Sequence, residues 1–138
     1  MAISKAKRHK VQFRANGCCE YCKSQDKFSS SSFSIEHIYP QSLGGTDNLS
    51  NLAWACQGCN NAKFTKIEAR DIISNQLVPL FNPRLDNWNN HFQWNENCSL
   101  IIGQTAIGRA TITALKMNRD SVINLRNILF SCGEHPPL

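Results

Sequence analysis

No run of apolar residues in this 138-residue sequence approaches the ~20 needed to cross a bilayer. The longest candidate, around Leu100 to Ile102, is broken at once by Gly103, so a membrane role finds no support. No apolar signal segment opens the chain, and the seven cysteines form an odd set. Both disfavour a secreted disulfide framework and lead to the expectation of a reducing cytoplasm. Acidic residues are the minority: ten Asp and Glu stand against fifteen Lys and Arg, and the net charge of +5 leans toward an anionic partner without demanding one. Length is short as well. With 41% hydrophobic residues the chain can build one core but not two, so residues 1–138 are expected to form a single domain.

What is present divides the chain into recognisable pieces. Ser4 can cap a basic helix that carries Lys5, Lys7, Arg8, Lys10 and Arg14 and stops at Gly17. That face is as well explained by solvation as by phosphate contact. The serine run 29–32 reads as a loop, and FSIEHIY as a short strand ending at Pro40, with Phe33, Ile35 and His37 sharing one side. NLAWAC is a second apolar segment, and a helix is expected from Asn60 to about Ile73. Beyond it, residues 77–94 should wrap as an ordered coil with a helical turn near Trp88. HFQW can pair with CSLIIG as a hairpin. Two helices follow, from Thr105 to about Met117 and from Asp120 to about Ser131. Their apolar stripes run through Ile107, Thr111 and Leu115, and through Val122, Leu125, Ile128 and Leu129.

The strongest chemical signal is a pair of Cys-x-x-Cys knuckles, Cys19 with Cys22 and Cys56 with Cys59, whose spacing lets four thiolates meet one tetrahedral zinc at ~2.3 Å. The loop between them is longer than the ~15–20 residues of a simple zinc ribbon, so something further is built between the knuckles. Cys18 competes with Cys19 but leaves a less common spacing to Cys22. Cys98 and Cys132 have no paired neighbour and read as packing residues.

Between the knuckles sits Glu36-His37, a polar pair at the end of an apolar run, where burial is costly unless an ion gathers the donors. Phosphodiester hydrolysis needs a base for water and a cation to absorb charge on phosphate and leaving oxygen. His37 can supply the base, since imidazoles titrate near working pH. Glu36 offers a hard carboxylate and Asn60 a carbonyl oxygen, a donor set suited to Mg²⁺ or Mn²⁺. Trp54, Trp88 and Trp94 are expected in the core.

These residues together resemble the zinc-stabilised HNH endonucleases: C-x-x-C, then (Asp/Glu)-His-x-x-Pro, Gly-Gly, Asn-Leu and C-x-x-C-Asn-x-x-Lys. Cys19, Cys22, Glu36, His37, Pro40, Gly44, Gly45, Asn51, Leu52, Cys56, Cys59, Asn60 and Lys63 all fall on the pattern. The likeness extends to small bacterial HNH proteins, many of them cyanobacterial, through LFNPRLDNWNNHFQW and GQTAIGRATITALKMNR. It implies an α+β fold: a ββα-metal (His-Me finger) core over about 14–73, stapled by the four-cysteine zinc site. An N-terminal helix precedes that core, and a C-terminal elaboration over about 74–138 adds a hairpin and helices.

In that frame His37 is the general base, and Glu36 and Asn60 hold a catalytic Mg²⁺ or Mn²⁺ beside the structural zinc. Asn51 ties the loop and orients His37. Glu36 stands where aspartate is commoner, and its extra methylene displaces a bound ion by about one bond. Lys63 reads equally as a solvated helix residue or a phosphate contact, and Arg14 as a basic helix residue able to reach nucleic acid. Arg109 either touches the DNA backbone or pairs with an acid such as Asp86, while Arg84 buttresses the coil through carbonyls. The implied substrate is double-stranded DNA, cut with weak selectivity. Nothing in the sequence excludes RNA, a protein partner or a homodimer. The competing reading is a zinc-stabilised nucleic-acid-binding module without catalysis.

Overall fold

The computed structural model describes residues 3–137. Helix α1 spans Lys5–Arg14, and the Ser4 hydroxyl accepts from the Lys7 amide at 3.2 Å, satisfying one of the orphan donors of the first turn. After it the chain reverses through Asn16 and Gly17, both at positive φ, and delivers Cys19–Cys22 into the interior.

Strands β1 (Ser34–His37) and β2 (Leu52–Ala55) pair antiparallel with Glu36 opposite Ala53 and His37 opposite Leu52, and α2 (Gln57–Lys63) follows directly. This is the expected ββα order. The inward side of β1 differs from the sequence expectation: Glu36 is the buried residue, while Ile35 and His37 are half-buried. A strand alternates faces, so the apolar neighbours Phe33 and Ile35 could not predict which side would meet the core once a partner for the carboxylate existed.

The expected helix over 60–73 is corrected. Helix α2 begins earlier, because Cys56 caps it through its Sγ, and it stops at Phe64, whose φ of 49° takes the backbone out of helical geometry. Residues 68–79 form a hairpin instead, β3 (Glu68–Arg70) against β4 (Leu77–Pro79). The Asp71 carboxylate accepts from the Ser74 amide at 3.0 Å and the Ser74 hydroxyl at 2.7 Å, and Asn75 takes φ of 59°, so local turn chemistry defeats the helical composition.

Helix α3 (Trp88–His91), the hairpin β5 (Phe92–Trp94) with β6 (Ile101–Gly103), α4 (Ala106–Leu115) and α5 (Asp120–Ser131) complete the chain as expected. Helix α4 lies against α2, β6 and the β3–β4 hairpin, joining the C-terminal part to the ββα unit. One core, including Val11, Tyr21, Leu52, Trp54, Phe81, Phe92, Leu115 and Met117, runs through both parts, with Trp88 and Trp94 partly buried against it.

On α5 the expected stripe is shifted: Ile128 is exposed and Arg126 is buried. The Arg126 guanidinium donates to the carbonyls of Met117 (2.7 Å) and Ser99 (3.0 Å) and to Asn118 Oδ1 (3.0 Å), satisfying a turn that no helix amide could reach. Cys132, expected in packing, is exposed. Among the described residues no helix is long and apolar enough to cross a membrane.

Candidate functional site

The two knuckles meet. The sulfur atoms of Cys19, Cys22, Cys56 and Cys59 all lie within 4.8 Å of one another, and every one of the four residues is buried. A tetrahedral zinc with ~2.3 Å bonds sets its sulfurs ~3.8 Å apart, and Cys22 Sγ to Cys56 Sγ is 3.6 Å. The cluster is therefore compatible with such an ion. Backbone amides already aim at sulfur, Cys22 N–H to Cys19 Sγ at 3.5 Å and Cys59 N–H to Cys56 Sγ at 3.4 Å. Hydrogen bonds from Cys19 and the other two cysteines pull the Cys22 thiol well down, while burial pushes Cys19 up. Cys18 stays outside the cluster, its Sγ facing the Asn16 carbonyl at 3.6 Å.

A cation stands over this centre that the sequence did not announce. Arg119, at the start of α5, donates to Cys56 Sγ at 3.4 Å and reaches Cys59 Sγ at 3.9 Å. Burial works against its charge, but the negative field of Cys59, Cys22 and Cys56 prevails and raises its pKa. Gly58 makes the approach possible, since a Cβ there would run into the guanidinium.

Glu36, His37 and Asn60 line one shallow cleft of about 260 Å³, with Pro40, Gln41, Ser42 and Phe64 around its rim. A larger hollow of about 640 Å³, lined among others by Glu20, Lys23, Asp86 and Trp88, holds no comparable set of a base with hard donors. Glu36 is satisfied from inside: Tyr21 donates its hydroxyl to Oε1, and the Lys63 ammonium donates to Oε2 at 2.9 Å. Burial raises the Glu36 pKa, with Lys63 and then Tyr21 pulling it back. A carboxylate has about four lone-pair sites, so two remain after these contacts. Asn60, whose amide oxygen is a hard donor of the kind Mg²⁺ takes, lines the same cleft.

Lys63 corrects the sequence reading outright. It is neither solvated nor available to phosphate but 2% exposed, and it also donates to the carbonyls of Ile38 (3.0 Å) and His37 (3.3 Å). The other proposed nucleic-acid contacts are occupied too. Arg14 donates to the carbonyls of Leu49 (2.8 Å) and Leu52, bracing the start of β2. Arg109 grips Asp71, not Asp86, through Nε and Nη2 at 2.9 Å each, pinning the β3–β4 turn to α4. Arg84 pairs with Glu20 and donates to the Leu52 carbonyl at 3.2 Å.

Asn51 closes the loop between β1 and β2. Its Oδ1 accepts from the Tyr39 amide at 2.8 Å, and its Nδ2 donates to the carbonyls of Tyr39 (3.0 Å) and Thr46 (2.8 Å). Gly45 lies so close beneath that a Cβ would run into the Tyr39 carbonyl oxygen. The loop brings Asp47 to His37, with Oδ1 2.7 Å from Nε2. The hydrogen bond with His37, ahead of every other influence, holds the Asp47 carboxyl below its usual range. Sequence reasoning passed over Asp47, Tyr21 and Arg119. Asp47 and Tyr21 sit inside recognised motifs where no spacing rule singles them out, and Arg119 is 60 residues from the nearer cysteine it serves.

Among known families, residues 19–75 match the model of the HNH endonucleases. No curated protein and no solved structure matches the chain significantly.

Proposed function

We propose that this chain, whose residues 19–75 belong to the HNH endonuclease family, is a metal-dependent endonuclease that hydrolyses DNA with His37 as general base. The family carries nuclease activity on nucleic acid in general; the substrate, the residues and the ions are the finer reading. One observation carries it: an imidazole, a carboxylate and a carboxamide line the same cleft, the first two on a strand and the third on a helix whose start carries two of the four clustered thiols. Cys19, Cys22, Cys56 and Cys59 would hold structural zinc. Glu36 and Asn60 would hold Mg²⁺ or Mn²⁺, which when bound supplies positive charge against the scissile phosphate and the departing oxygen.

In the proposed reaction His37 takes a proton from water, the water oxygen bonds to phosphorus, and the bond to the 3′-oxygen breaks in line. The leaving oxygen takes a proton from solvent, giving 5′-phosphate and 3′-hydroxyl ends. With Lys63 buried and Arg109 held by Asp71, phosphate contacts fall to α1, where Arg14 is itself exposed. Lys5 and Lys10 are exposed there, and Arg8 lines a hollow shared with His37. Such contacts follow the backbone and not the bases, so selectivity should be weak.

The buried contacts of Glu36 with Tyr21 and Lys63 favour a second reading, a zinc-stabilised nucleic-acid-binding module in which that carboxylate is structural. Nicking of supercoiled plasmid with Mg²⁺ or Mn²⁺ separates the two. The wild type should cut and His37→Ala should lose ~10²–10⁴-fold in rate with zinc content and circular dichroism unchanged. Equal cutting by the variant rejects the base, and binding without cutting by the wild type favours the module. Running the same assay on duplex RNA decides the substrate.

A further inference from the structure

We propose that Asp47 is a positioning residue for His37: it holds the ring in place and keeps the proton on Nε2, leaving Nδ1 bare to accept a proton from water. The catalytic consequence rests on His37 being the base; the placement of the proton does not.

Asp47 Oδ1 lies 2.7 Å from His37 Nε2, the short separation of a charge-assisted bond. An ionised carboxylate can only accept, so Nε2 must donate. In a neutral imidazole the other nitrogen is then an unprotonated acceptor. The two side chains are 19% and 35% exposed, for His37 and Asp47, so the pair sits at the rim where water can enter.

The loop is built to deliver that carboxylate. Gln41 Nε2 donates to the same Oδ1 at 3.2 Å, and the Lys7 ammonium, from α1, donates to the Asp47 carbonyl at 2.7 Å. The preceding residue is gripped by Asn51 through the Thr46 carbonyl at 2.8 Å, and the Gly45 amide donates to the Pro40 carbonyl at 2.9 Å. These contacts fix residues 45–47 from three sides, and the one from Gln41 falls on the carboxylate itself. An oxygen acceptor there does for His37 what a carboxylate does for any base whose tautomer must be chosen before substrate arrives.

The test uses the full zinc-loaded chain with ¹⁵N-labelled histidine. Long-range ¹H–¹⁵N spectra read the two ring nitrogens of His37, assigned by loss in His37→Ala, and plasmid nicking is measured in parallel. The wild type should show a protonated Nε2 and a pyridine-like Nδ1. Asp47→Ala should average the two nitrogens and lower kcat by ~10²-fold, the order expected for a misplaced reacting group, with KM for plasmid little changed. Asp47→Asn, nearly isosteric but able to turn an amide N–H toward the ring, should lose the exclusive Nε2–H form and lower kcat while leaving the loop folded; it also serves if the alanine variant does not fold. A wild type with the proton on Nδ1 overturns the proposal. So does an Asp47→Ala protein with wild-type ring shifts and kcat. A rise in the Mg²⁺ concentration for half activity without change in the ring would make Asp47 an ion ligand and overturn it as well. If His37→Ala cuts like the wild type, the base assignment fails while the spectra still decide the tautomer.

Discussion

Glu36 and Lys63 are 3% and 2% exposed and face each other at 2.9 Å. A buried pair of this kind is expensive to break from one side, because the survivor keeps its desolvation cost and loses its partner. Lys63→Met should therefore destabilise the protein by about 3–5 kcal/mol, read as a shift in the urea midpoint at constant slope. Adding Glu36→Gln should recover much of that loss, since no charge is then stranded; a double variant as unstable as the single one would contradict the pairing. Side-chain identity at this scale was partly readable. His37, Asn60 and the four cysteines stand at spacings that imply shared chemistry, whereas Asp47 looks like an ordinary turn residue until the loop folds back upon β1.

The elements owe their limits to short-range devices. Cys56 starts α2 by accepting from the Cys59 amide, and Phe64 ends it with a left-handed φ. The Asp71 turn then makes a hairpin of a stretch whose composition suits a helix. The bonds from Arg109 and then Ser74 hold the Asp71 carboxyl well below its usual range. A depressed folded-state pKa adds stability above the unfolded value of ~3.9 and loses it as pH falls through that value toward the folded one. Asp71→Asn should thus be less stable than the wild type at pH 7, and the gap in urea midpoint should narrow as pH falls below about 4. A gap independent of pH would mean that the ion pair is not its source. The loop between β1 and β2 is the other sensitive element. Gly45→Ala, forced against the Tyr39 carbonyl, should cost ~1–3 kcal/mol by thermal or urea unfolding and depress nicking with it.

For the molecule as a whole, the three two-stranded sheets among the described residues are each too small to be stable alone. What unites them is a shared core and the thiol centre, which ties the turn after α1 to the start of α2. If zinc occupies it, binding and folding are one free energy. Chelation at pH 7 should then abolish near-ultraviolet dichroism and cooperative unfolding, and added Zn²⁺ should restore both; an unchanged melt after complete metal removal would leave the thiols a packing role only. Arg119 faces two of the sulfurs, so Arg119→Gln should release zinc to a competing chelator at ~10-fold lower chelator concentration or less. The same joining explains why the C-terminal part was legible as helices and a hairpin but not as a support: α4 and Arg119 act on the ββα unit through contacts that no local pattern announces.

The amino-acid order alone determined the chemistry available: two knuckles, a histidine after a carboxylate, an asparagine after the second knuckle, and the strand, loop, strand, helix succession that carries them. Ligand spacing and hydrophobic alternation act over a few residues, so they survive in one dimension. Tertiary structure alone decided the partners, Lys63 with Glu36, Arg109 with Asp71, Asp47 with His37 and Arg119 with the sulfurs. Charges pair according to distance in space, and the chain reversals that set those distances are chosen by the packing of the entire core, so no local stretch of sequence records them.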